Sequence, residues 1–162
     1  MASVLVHFLF TNFPVKLNPV SSVMYLLAIV YLPHLIKRGS VVKKLKASSK
    51  PYTIATSKSS SLAAIDNTPE GQFISQCINC HQNSWEAFSY YCATILLCLF
   101  CQVPVAAIKG FGGFFIVNRL LYMFVYLSSL NGPLRSVVFF AGLFAVLFML
   151  AYAAESSEGL FA

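Results

Sequence analysis

Charge is what this sequence has least of. Only 10% of its 162 residues are charged, and only five are acidic. A soluble domain of this size carries about a quarter. So few charges cannot cover a water-facing surface, which excludes an ordinary soluble enzyme or binding module. There is one tryptophan and no internal repeat, which excludes a solenoid or array. The opening MASVLVHFLFTNFPVKLNP lacks a basic leader region, so it makes a poor secretory signal. Its apolar run is too short to span a bilayer. It reads as an interfacial or partly buried segment.

What is present is mostly apolar: 58% of the chain is hydrophobic. The long apolar runs predict a polytopic membrane protein in one domain, residues 1–162. The expected fold is an all-α integral membrane bundle of four transmembrane helices, with a long polar loop between the first two. The expected spans are about 20–36, 73–101, 105–130 and 134–154. Pro33 is expected to kink or end the first of them. Thr68-Pro69-Glu70 predicts a helix start, with a capping residue and proline in the first helical position. Asn131-Gly132-Pro133 predicts a tight turn.

The net charge of +6 points toward anionic partners. Its distribution argues against nucleic acid. Seven of eleven basic residues lie between Lys37 and Lys58, in a segment with no aromatic residue before Tyr52. A basic loop flanked by apolar spans is a topology signal. It places residues 37–72 on the cytosolic, matrix or stromal side of an organelle membrane (mitochondrial inner membrane, ER or plastid). Both termini then lie on the other side. Lys43 to Lys46 are expected to meet anionic headgroups or a soluble partner. The polar, Ser-rich loop would be disordered alone, so a partner is expected to hold it.

Polar side chains inside spans are costly, and each is a candidate functional residue. Asn79, Asn83, Glu86 and Tyr90 recur at helical spacing and fall in one narrow stripe. Arg119, Tyr122 and Tyr126 do the same on the third span, and Arg135 opens the fourth. All are expected near the membrane face of the basic loop. The convergence predicts a cavity between helices for a small charged ligand beside an apolar one. A plainer reading pairs Glu86 with Arg119 as a structural ion pair. Gly110, Gly112 and Gly113 read as close helix packing rather than a phosphate loop. Lys109 is expected to snorkel to the opposite surface.

Cys77-Ile78-Asn79-Cys80-His81 fits the attachment signature of a c-type haem. Covalent haem is not expected, because the topology puts these residues on the wrong membrane side. Cys77 and Cys98 are ~31 Å apart along one helix, so the two CxxC pairs cannot share a metal ion within a subunit. A redox dithiol at Cys77 and Cys80 is one remaining reading. The plain one makes all five cysteines small packing residues, and no metal site is expected.

HQNSWEAF resembles the second-helix motif of the MAPEG superfamily (membrane-associated proteins in eicosanoid and glutathione metabolism), Arg-x-x-x-Asn-x-x-Glu. NRLLYMFVYLSSLNGPLRS resembles that family's third helix, turn and fourth-helix start. The likeness is greatest to the microsomal prostaglandin E synthase and microsomal glutathione transferase branch. The resemblance implies a homotrimer with glutathione bound between subunits. It implies that Asn83 and Glu86 contact glutathione, that Arg119, Tyr122 and Tyr126 line the site, and that Arg135 stabilises the thiolate. Asn79 stands where the motif has arginine. That exchange removes a charge-assisted pair worth ~1.5–3 kcal/mol. His81, if protonated, is the candidate to compensate. Two functions follow. One is a glutathione-dependent transferase, peroxidase or isomerase acting on a lipophilic substrate. The other is a catalytically degenerate accessory subunit of a large respiratory or photosynthetic complex.

Overall fold

A computed structural model describes residues 2–47, 68–128 and 132–157. Among these, five helices follow one another: α1 (Ala2–Thr11), α2 (Pro19–Ala47), α3 (Pro69–Phe100), α4 (Val105–Leu127) and α5 (Gly132–Ser157). Three are long and apolar enough to cross a membrane: α2 over Pro19–Lys43, α4 and α5. The chain is an integral membrane protein. The expected second span forms a helix of 32 residues but falls outside that apolar group. Its first half carries Gln72, Gln76, Asn79, His81, Gln82, Asn83 and Glu86, which lower its hydropathy.

Of the two expectations for Pro33, a kink or an end to the helix, α2 rules out the end, and it also corrects the expected limit at residue 36. The helix passes through Pro33 and runs to Ala47, so residues 37–47 are helical rather than loop. Residues 48–67, the rest of the expected polar loop, lie outside the described residues. Proline removes one amide donor and crowds the carbonyl a turn earlier. The disturbed turn is supported from α3. The His81 Nδ1–H donates to the Val30 carbonyl at 2.7 Å. Beyond the proline, Val41 and Ile74 pack together and extend the α2–α3 pair.

α3 begins as its sequence predicts. Pro69 occupies the first turn, and the Gly71 N–H donates to Thr68 Oγ1 at 3.2 Å. It ends in a Schellman-type turn, with the Val103 N–H donating to the Cys98 carbonyl at 2.9 Å. Gln102 takes the left-handed conformation there, φ 56°, where glycine is usual. Pro104 then prevents continuation.

All five helices contribute to the main core, from Val6 and Phe10 of α1 to Ala145, Val146 and Met149 of α5. Tyr91 stacks on Phe115 with centroids 4.6 Å apart, and its hydroxyl donates to Ser22 Oγ at 2.5 Å. All five cysteines are free thiols; four are buried and Cys92 is half-buried. α1 is a structural element that the hydropathy reading leaves undefined. With residues 12–17 it forms an arm against α4. A Cβ on Gly110 would stand 1.6 Å from the Phe10 carbonyl oxygen, and one on Gly113 1.7 Å from that of Val15. The Leu17 N–H donates to the Lys109 carbonyl at 3.1 Å. His7 Nδ1 and Tyr152 Oη, 3.0 Å apart, tie the arm to α5.

Candidate functional site

The far end of the bundle holds a hollow of about 380 Å³. Asn83 and Glu86 reach it from α3, Tyr122 and Tyr126 from α4, and Arg135 from α5. Spacing explains the grouping: residues three or four apart share a helix face. Height explains it too. Cys80 packs level with Tyr122 and Val138, so the middle of α3 meets the end of α4 and the start of α5. Residues 129–131, between α4 and α5, lie outside the described residues.

The lining is organised by two contacts. The Asn83 amide donates to Tyr122 Oη at 2.8 Å. The Arg135 guanidinium lies over the Tyr126 ring, 4.9 Å from its centroid. That cation–π contact holds the arginine head at the hollow's edge. Glu86 is exposed and Arg135 half-buried, so the hollow offers one negative and one positive group to a ligand. Four more residues line it: Gly132, Ser136, Phe139 and Phe140. Sequence reasoning missed these. Gly132 and Phe139 lie three positions before and four after Arg135, so helical spacing from Arg135 could have found them. Nothing in an apolar run singles out one phenylalanine from its neighbours.

Three expected site residues lie elsewhere. Arg119 is buried behind the lining, not in it. Its Nη2–H donates to Tyr90 Oη at 3.2 Å, and Nε and Nη1 have no partner. Among the described residues it makes no ion pair with Glu86, which corrects the plainer structural reading. Asn79 is exposed on α3, outside the lining. His81 faces α2, with its ring centroid 5.3 Å from that of His34. Its Nδ1–H is given to Val30, and its Nε2 accepts from Trp85 Nε1 at 3.2 Å. His81 is therefore engaged with α2 and with Trp85, away from the hollow.

A model of the MAPEG family matches residues 19–154. The chain belongs to the MAPEG family. No curated protein and no solved structure matches it. All nine residues lining the hollow lie inside the matched region, and α1 lies outside it. In this MAPEG-family chain the exposed face of α3 is polar for most of its first five turns. Gln72, Asn79, Gln82, Glu86 and Ser89 are all exposed there at spacings of three, four or seven. Cys77 and Cys80 point the other way and are fully buried. Their thiols meet the helix core, which is how small packing residues behave. Among the described residues no three His, Cys, Asp or Glu side chains gather into a metal-binding group.

Proposed function

We propose that this protein is a glutathione-dependent transferase, peroxidase or isomerase acting on a lipophilic substrate, closest to the microsomal prostaglandin E synthase and microsomal glutathione transferase branch. One observation carries the reading: Glu86 and Arg135 share a hollow with Asn83, Tyr122 and Tyr126. The zwitterionic peptide would meet Glu86 and Asn83 with its polar ends. Its thiol would lie by Arg135, where a cation favours the thiolate over the thiol. The phenylalanines at 139 and 140 would supply the apolar side for the lipid electrophile or peroxide. Thiolate attack on that electrophile is the reaction.

The active form is a homotrimer in an organelle membrane, with residues 37–72 on the cytosolic, matrix or stromal side. The polar face of α3 supports an assembly. Amides and a carboxylate facing lipid are costly, and a second copy would cover them. Native mass spectrometry from mild detergent tests both parts. A trimer retaining glutathione is expected. A heteromeric assembly without it would instead favour an accessory subunit of a respiratory or photosynthetic complex. Asn79 at the motif's arginine position favours that second reading.

The same residue gives a gain-of-function test. Asn79→Arg is expected to tighten glutathione binding by about tenfold, the worth of one charge-assisted pair. Calorimetric titration of the detergent-solubilised protein measures it. An unchanged affinity would mean that position 79 does not reach the peptide.

A further inference from the structure

Arg119 is the one charged side chain that is buried among the described residues, at 2% exposure. It does not touch the hollow. Two rings that line the hollow stand next to it: Tyr122, with its centroid 5.0 Å from the guanidinium carbon, and Phe139, at 5.7 Å. Phe115 adds a third ring at 5.2 Å. Among the described residues its one hydrogen bond goes to Tyr90, and it makes no ion pair with a carboxylate.

A guanidinium stays protonated in proteins. Buried charges are normally paired. Among the described residues this one has no counter-ion, so no opposite charge there cancels its field. Aromatic matter of low dielectric transmits that field far better than water does. The hollow begins about one ring thickness away.

We infer that Arg119 is a positioning residue that sets the electrical potential of the hollow, biasing it toward small organic anions, thiolates included, without touching them. The charged or titratable groups facing the hollow are Glu86 from α3, Tyr122 and Tyr126 from α4, and Arg135 from α5. Glu86 and Arg135 offset one another. The charge that decides the sign is the one behind the wall. This names the ligand class for the glutathione reading and rests on the same hollow, but it can be tested without glutathione.

The probe is a thiol placed in the hollow by Ser136→Cys, at an exposed lining position. The native thiols are buried or half-buried, so they compete little. The full-length protein in detergent is alkylated with iodoacetamide, which is uncharged. The rate follows the thiolate fraction at each pH. Arg119→Met and Arg119→Lys are then compared in this background. Replacing an unpaired buried charge by an apolar chain is compatible with folding. The methionine variant is expected to move the midpoint of the rate profile up by about one pH unit, roughly a tenfold slower reaction below it. The lysine variant, which keeps the charge, is expected to stay near the parent. Superimposable parent and methionine profiles would overturn the inference. So would a lysine shift as large as the methionine one, because that marks repacking rather than charge. If the expected shifts appear in a protein that fails to bind glutathione, the functional reading falls and the role of Arg119 stands.

Discussion

Arg135→Ala is expected to abolish the ultraviolet absorbance of enzyme-bound glutathione thiolate and to lower thiol-dependent turnover by at least about a hundredfold. Among the described residues Arg135 is the one cation lining the hollow. A thiolate ~4 Å from a cation gains about 4 kcal/mol at an effective dielectric of ~20, an upper figure before the cation's own hydration is counted. Without it the lining charge left to the ligand is Glu86, which favours the neutral thiol. Arg135→Lys separates charge from shape. Lysine keeps the charge but loses the planar stack over Tyr126, so an intermediate thiolate fraction is expected. Binding calorimetry on the same samples distinguishes lost chemistry from lost affinity. Full thiolate absorbance in the alanine variant would remove Arg135 from the mechanism.

The second large effect is structural. Gly110→Ala or Gly113→Ala would put a methyl group 1.6 or 1.7 Å from a backbone oxygen of the N-terminal arm. No rotamer relieves such an overlap, because the obstacle is main chain. The arm has to leave or the helix has to shift. Leaving exposes Val6 and Phe10, which are buried at 1% and 6% exposure. Lipid replaces part of that contact, so the loss is packing and hydrogen bonding more than hydrophobic burial. A cost of ~2–4 kcal/mol is expected, in the range of overpacked or cavity-forming core changes. Thermal unfolding in detergent measures it. Limited proteolysis between residues 12 and 18 reports whether the arm has come free. The double variant is expected to cost little more than either single one, since a detached arm has nothing left to clash with. Unchanged melting and an uncut arm in both singles would contradict the packing described.

What the sequence makes legible here follows from helical geometry. Angle around a helix is easy to read: Asn83 and Glu86, Tyr122 and Tyr126 each lie three or four residues apart, and each pair shares a face. Height along the axis is harder. Asn79 lies within ~40° of Asn83, yet it stands a full turn above, beyond the lining. Arg119 shares its face with Tyr126 but lies seven residues deeper, ~10 Å down, where the helices close over it. The long run of α2 was illegible for a different reason. Pro33 carries a breaking signal, and the side chain that braces the turn before it, at the Val30 carbonyl, is His81, 48 residues along the chain from the proline. No local pattern contains that pairing. The arm was equally hidden. Ten residues without a charged cap are too few for a span, while the arm's docking surface is written as two bare glycines in α4, Gly110 and Gly113. Those glycines were readable as a place of close approach, but not as the seat of the N-terminus.

The arm also dictates an order of assembly. Its seat on α4 and its tie to Tyr152 both lie late in the chain; His7 and Tyr152 are separated by 145 positions. A ribosome delivers residue 7 long before residue 110 or 152 exists. During synthesis the first helix must therefore wait, unattached to α4 and α5, while the chain between them is made. Its docking is a closing step that can begin only when α4 is in place and is complete only when α5 has arrived.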